Sequence, residues 1–155
     1  MIIKITDSDI TDYKVDKKAL TVLGADAVEF HDDKIIFKTD VEFYECDELS
    51  DVGNLVFNGS VTFYNCHYVR YLEKVAFNNN VYFLGCAYLK EAVDAIFNGC
   101  VEFYKCNSLA SLDGAIFNGY VKFDNCPSLT SVSGAVFKSG FTVRACPNLY
   151  KNLKQ

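Results

Sequence analysis

Nowhere in this 155-residue chain do 18 consecutive apolar residues occur, so no membrane-spanning helix and no membrane partner are expected. The start, MIIKITDSDITDYK, meets Asp7 and Asp9 before any apolar run reaches the length of a signal-peptide core, and secretion by the general route is not expected. Basic residues are in deficit: 15 Lys and Arg stand against 20 Asp and Glu, a formal charge of -5. Direct nucleic-acid binding is disfavoured, because neutralising phosphates requires a basic footprint. Histidine is nearly missing, with His31 and His67 alone, and neither lies in a catalytic motif. The patterns G-x-x-x-x-G-K-[ST], H-E-x-x-H and G-x-S-x-G are absent, as is paired-cysteine metal spacing, so no catalytic residue, cofactor or metal is expected.

What the chain has is apolar and periodic. Half of its residues are hydrophobic and 23% are charged, with Phe 13 and Tyr 10, a composition that folds as one domain rather than staying disordered. The seven cysteines are an odd number and no secretory leader is expected, which favours reduced thiols in a cytoplasm. Six of them, Cys46, Cys66, Cys86, Cys106, Cys126 and Cys146, lie 20 residues apart without exception. Phe37, Phe57, Phe77, Phe97, Phe117 and Phe137 keep the same step, and so do Val41, Val61, Val81, Val101, Val121 and then Phe141. Phe43, Phe63, Phe83, Phe103, Phe123 and then Val143 form another column, and Leu49, Val69, Leu89, Leu109, Leu129 and Leu149 a further one.

One unit reads F-x-x-x-V-x-F-x-x-C-x-x-L-x-x-L-x-x-A-x, in six copies without insertion. A fixed period of this length predicts stacked coils, each burying its apolar face against its neighbours. V-x-F has period two and predicts a short strand that builds a parallel sheet by translation, while C-x-x-L-x-x-L returns through turns or extended segments with no room for a regular helix. The strings VTFYNCHYV, VEFYKCNSL and VKFDNCPSL resemble the cysteine-containing leucine-rich repeats, with Phe in place of the second Leu. The 20-residue period and CPSLTSV are similar to bacterial repeats of that kind. The resemblance implies a mainly β solenoid, a right-handed coil with a parallel sheet, over residues 37–149. Residues 1–36 are expected to form an N-terminal β cap and 150–155 a short tail.

Identical positions in adjacent coils sit about 4.8 Å apart with parallel side chains. That geometry favours a ladder of buried thiols over disulfides, which need closer Cβ atoms, and over zinc, which needs convergent ligands. The phenylalanine columns are read as core. Asn-Gly at 58–59, 98–99 and 118–119 is locally a hairpin signal. Here each flanking strand finds its partner one coil away, so these pairs are expected to be coil corners with φ above zero.

Function is expected on the outward strand positions, which vary from coil to coil. Asp40, Glu42, Tyr44, Thr62, Tyr64, Tyr82, Leu84, Glu102, Tyr104, Tyr120, Lys122 and Arg144 are the candidate partner-binding residues. Five tyrosines among them are read as one stripe, acidic toward Asp40, Glu42 and Glu45 and basic toward Lys122 and Arg144. Tyrosine offers a large, stiff contact area with a polar tip, so a protein-binding module is expected, as leucine-rich repeats generally are. The alternative is a stoichiometric inhibitor or acidic decoy, for example bacterial or phage-encoded, whose Asp40, Glu42, Asp47 and Glu48 occupy a basic groove of a target. Cys100, a surface thiol with no base nearby in sequence, is read as incidental. RACPNLYKNLKQ carries no evident cap, so the last coil is expected to be covered by a second copy or a partner.

Overall fold

Alternation in V-x-F puts valine and phenylalanine on one side of each strand. The structure, a computed structural model describing residues 1–153, stacks these strands in register, Val on Val and Phe on Phe. In chain order the elements are β1 (Ile2–Ile5), β2 (Ile10–Thr11), β3 (Lys14–Val15), α1 (Lys17–Leu20), β4 (Val28–His31) and β5 (Lys34–Phe37). There follow β6 (Asp40–Tyr44), β7 (Leu55–Phe57), β8 (Val61–Tyr64), β9 (Ala76–Phe77), β10 (Val81–Leu84) and β11 (Ile96–Phe97). The last are β12 (Val101–Tyr104), β13 (Ile116–Phe117), β14 (Val121–Asp124), β15 (Val136–Phe137), β16 (Phe141–Arg144) and α2 (Pro147–Leu153).

Together they form a mainly β solenoid of about six coils carrying two seven-stranded sheets. The first runs β1-β6-β8-β10-β12-β14-β16 and the second β4-β5-β7-β9-β11-β13-β15. Within these two sheets every pairing is parallel except β4 on β5. A third, thinner ladder of single bridges joins Tyr71, Glu91, Ser111 and Ser131 along the arc after each cysteine. Coils 1 to 5 keep that arc free of helix, as the C-x-x-L-x-x-L spacing predicts.

The two phenylalanine columns pack as a herringbone. Within a column, neighbouring rings stack with centroids 4.9–5.6 Å apart and planes within 1–10°. Between columns the rings meet edge to face, 5.9–6.4 Å apart at 80–88°. Both geometries satisfy the ring quadrupole, and each ring adds a large buried apolar area.

The cysteine column is a ladder of free thiols. Cys66, Cys86, Cys106 and Cys126 each donate an S–H to the carbonyl of the phenylalanine 23 residues back, at 3.4–3.5 Å, and Cys46 donates to Ile5 C=O at 3.3 Å. The residue before each cysteine (Glu45, Asn65, Gly85, Lys105, Asn125, Ala145) is left-handed, with φ of 50–72°. That backbone sets the bend that aims the thiol inward. Burial pushes the Cys86 thiol up to about 12 and also raises that of Cys146. All six ladder thiols are fully buried and closed to a reagent, whereas Cys100 is exposed. A thiol reagent at neutral pH is therefore expected to label the folded protein once, at Cys100, and all seven cysteines only after denaturation. Peptide mapping that finds a ladder cysteine labelled in the folded state would contradict this packing.

The Asn-Gly corners differ from the sequence expectation. Neither residue of these three pairs has positive φ. Glycine is required instead by close approach: a Cβ on Gly59 would lie 2.4 Å from Thr39 C, and one on Gly99 2.5 Å from Asn79 C. The asparagines have a task of their own. Asn78, Asn98 and Asn118 each donate a side-chain N–H to the amide oxygen of the asparagine one coil earlier, at 3.0, 3.4 and 2.7 Å, a ladder like those of stacked identical strands.

Both ends depart from the repeat. At the N-terminus, Ile3 and Ile5 pair with Val41 and Phe43 and so continue the inward columns, though 38 residues separate them. Strand β4 closes the second sheet, and the tip of the β2-β3 hairpin closes the third ladder, where Tyr13 C=O accepts from Ser50 N–H (3.1 Å) and Asp51 N–H (3.2 Å). The cap thus includes α1 as well as strands. At the C-terminus, the segment expected to lack a cap folds into α2, with Pro147 at the first helical position, where its missing N–H does no harm. The helix fastens to the preceding coil through side-chain amides, Asn148 to Pro127 C=O at 2.7 Å and Asn152 to Thr130 C=O. It covers only one side of the last coil. Phe137, Phe141 and Val143 stay partly exposed, while Phe117, Val121 and Phe123 one coil earlier are buried.

Candidate functional site

All twelve candidate residues lie on the outer face of the first sheet, in three rows set by strand register. Tyr44, Tyr64, Leu84, Tyr104, Asp124 and Arg144 share the row at the strand ends. Glu42, Thr62, Tyr82, Glu102 and Lys122 share the middle row. Asp40 and Tyr120 belong to the row at the strand starts. The single tyrosine stripe read from the sequence is therefore split. Tyr82 stands two residues along the strand from the row of Tyr44, Tyr64 and Tyr104, and Tyr120 four, at roughly 3.3 Å per residue.

The tightest aromatic contact on this face is Tyr44 on Tyr64, stacked at 5.0 Å and 6°. Leu84 continues the row, and Tyr104 follows with the Lys105 ammonium 5.2 Å from its ring centre. Tyr44 and Tyr64 are exposed, while Tyr82, Leu84 and Tyr104 are half-buried by their neighbours. Side chains fixed this way on a parallel sheet lose little further freedom on binding.

The charges do not form a free basic end. Lys122 Nζ lies 2.8 Å from Glu102 Oε1, and Arg144 Nε lies 3.2 Å from Asp124 Oδ1. The hydrogen bond and charge of Glu102 raise the Lys122 pKa. Each cation is thus matched by a carboxylate one coil earlier, a pairing that requires register as well as composition. Asp40 is engaged too, accepting from Ser60 N–H at 2.8 Å, as Asn80 accepts from Cys100 N–H at 2.9 Å.

A second surface was not anticipated from the sequence. Around the third ladder, Tyr13, Ser50, Tyr68, Arg70 and Tyr71 line a cleft of about 400 Å³, and the Arg70 guanidinium lies 5.3 Å from the Tyr68 ring centre. An adjoining cleft of about 600 Å³ is lined by Asp7, Asp12, Tyr13, Asp47, Glu48 and Tyr68. Here the ladder is interrupted: its bridges begin at Tyr71, and among the described residues none joins Asp51 to Tyr71. Asp47 and Glu48 therefore stand apart from Asp40 and Glu42, with which the sequence reading grouped them. Tyr68 and Tyr88 share a column and were legible as a pair, whereas Tyr13 reaches this surface from a hairpin outside the period.

Among the described residues no group of three or more His, Cys, Asp or Glu is placed to hold a metal ion, and no helix is long and apolar enough to cross a membrane. Comparison with models of protein families, with curated proteins and with solved structures found no match.

Proposed function

We propose that this chain is a non-enzymatic protein-binding module that uses the outer face of its first sheet. The row Tyr44, Tyr64, Leu84 and Tyr104, with Tyr82 beside it, carries this reading: apolar and aromatic groups stand toward solvent on a rigid sheet. Tyrosine is enriched where proteins bind one another, and the open face of a solenoid is its common binding surface. The leucine-rich-type columns support the same reading, since that family serves as protein-binding scaffolds. Seven free cysteines support a reducing, cytoplasmic setting.

The test is capture of partners from the native host by the chain as bait. The triple change Tyr64→Ser, Tyr82→Ser and Tyr104→Ser is expected to weaken the captured complex by about 100-fold or more, the effect of losing two or three central anchors. The melting temperature should stay near that of the parent. Unchanged affinity would end the reading.

A second reading, an acidic decoy, is favoured by Asp7, Asp12, Asp47 and Glu48 gathered around one cleft without a cation within 4.0 Å among the described residues. Salt separates the two in the same assay. A contact through carboxylates weakens steeply as ionic strength rises, and an aromatic one changes little.

A further inference from the structure

The ends of the solenoid are chemically opposite. The first 54 residues hold fourteen acidic and six basic residues, a net charge of -8. After Asp124 there is no acidic residue at all, while Lys138, Arg144, Lys151 and Lys154 follow. Among the described residues, the C-terminal end carries Lys138 and Lys151 with no carboxylate within 4.0 Å of either, together with an unfinished apolar coil of Phe137, Phe141 and Val143. Its backbone is unfinished too. Among the described residues, strand β16 pairs only with β14, and β15 only with β13. Because Val121 N–H bonds Gly140 C=O and Asn125 N–H bonds Arg144 C=O, the matching N–H groups of Phe141, Val143 and Ala145 point to the outer edge, where the Val143 C=O accepts from the Tyr150 hydroxyl of α2.

The N-terminal end complements this surface. Val22 is 86% exposed, Ile2 53% and Phe30 38%, and Leu20, Thr21, Gly24, Ala25, Val28 and Phe30 border a cavity of about 300 Å³. Asp26, Asp32 and Asp33 lie on the same cap, and no carboxylate of the three has a cation within 4.0 Å among the described residues, although the Lys17 ammonium donates to the main-chain carbonyl of Asp32 at 2.5 Å. Among the described residues, strands β1 and β4 each have one partner, so each sheet ends in an edge here as well.

We propose that the C-terminal coil of one copy seats on the N-terminal cap of a second copy, head to tail. Two C-terminal ends facing each other would set basic rims together, which complementarity disfavours. A head-to-tail contact is heterologous, so without ring closure it adds copies along the solenoid axis rather than stopping at two. This contact is separate from the outer face of the first sheet, and the triple tyrosine variant should keep it.

The experiment is sedimentation of the purified full chain across a dilution series, with two end variants. Val143→Pro removes an edge N–H that bonds nothing among the described residues and opposes strand addition. Val22→Lys with Phe30→Lys makes the acidic cap repel the basic end. The parent mass is expected to climb beyond a dimer with concentration and to fall as salt rises. Each variant alone should be monomeric, and an equimolar mixture should yield a dimer and nothing larger, because each contributes one intact end. If Val143→Pro does not fold by circular dichroism, Lys138→Glu with Lys151→Glu takes its place. A parent that stays monomeric throughout overturns the proposal. So does a dimer that survives in the Val22→Lys, Phe30→Lys variant, which would mark a C-terminal to C-terminal contact.

Discussion

Phe83→Ala is expected to lower the unfolding free energy by about 3–5 kcal/mol, the range for removing a buried aromatic side chain. Phe83 is fully buried in the third coil. It stacks on Phe63 and Phe103, both at 5.2 Å, and meets Phe77 edge to face at 5.9 Å. No neighbour can collapse into the space, because every ring around it is held by its own column. The effect should reach beyond the midpoint. In a stack where each coil touches only its neighbours, a weakened middle interface uncouples the two halves. Urea unfolding should therefore become broader, with a lower apparent slope, as two-state behaviour fails. A midpoint shift equivalent to less than about 1 kcal/mol, at the level of an average substitution, would contradict the herringbone packing.

Gly99→Ala is the second large effect, for the opposite reason. A methyl group there would lie 2.5 Å from both Asn79 C and Asn80 N, which are backbone atoms of the adjoining coil and cannot swing aside as a side chain does. Overpacking of this kind costs roughly 1–3 kcal/mol, and here it also pushes on the coil that carries Asn78, the acceptor of the Asn98 rung of the asparagine ladder. Gly53→Ala is the matched control. Its nearest contact is the Asp51 carboxylate oxygen at 3.3 Å, and its effect should stay within about 0.5 kcal/mol, as at ordinary surface positions. Equal melting temperatures for the two variants would show that the corner tolerates a Cβ.

These cases show what could be read from sequence. The 20-residue step identified the inward columns, because side chains that repeat in phase must meet their own kind one coil away. It also identified the thiols as hydrogen-bonded core. The asparagine corners were misread because a dipeptide signal such as Asn-Gly reports local preference, whereas Gly59 and Gly99 answer to backbone in the next coil. The tyrosine stripe failed on a finer point. Tyr82 occupies the middle row and Tyr120 the strand-start row, so proximity in the repeat did not make them neighbours of Tyr64. Lys122 and Arg144 looked like a free basic end only until Glu102 and Asp124 fell one coil behind them. Ile3, Ile5 and Tyr13 were beyond reach, since they join the columns and the third ladder through an irregular segment. The terminal helix was hidden by Cys146 and Leu149, whose spacing of three serves a helix and a turned arc alike.

Between the six coils every strand pairing joins residue i to residue i+20, and that rule binds heredity as well as packing. Loss or duplication of twenty consecutive codons within coils 2 to 5 returns each column to itself, so the molecule can change length by whole coils and keep both ends. A change of nineteen or twenty-one turns the inward phenylalanines of every later strand outward, since side chains alternate with period two. The gene for such a chain is free to vary in steps of sixty bases, and held still between them.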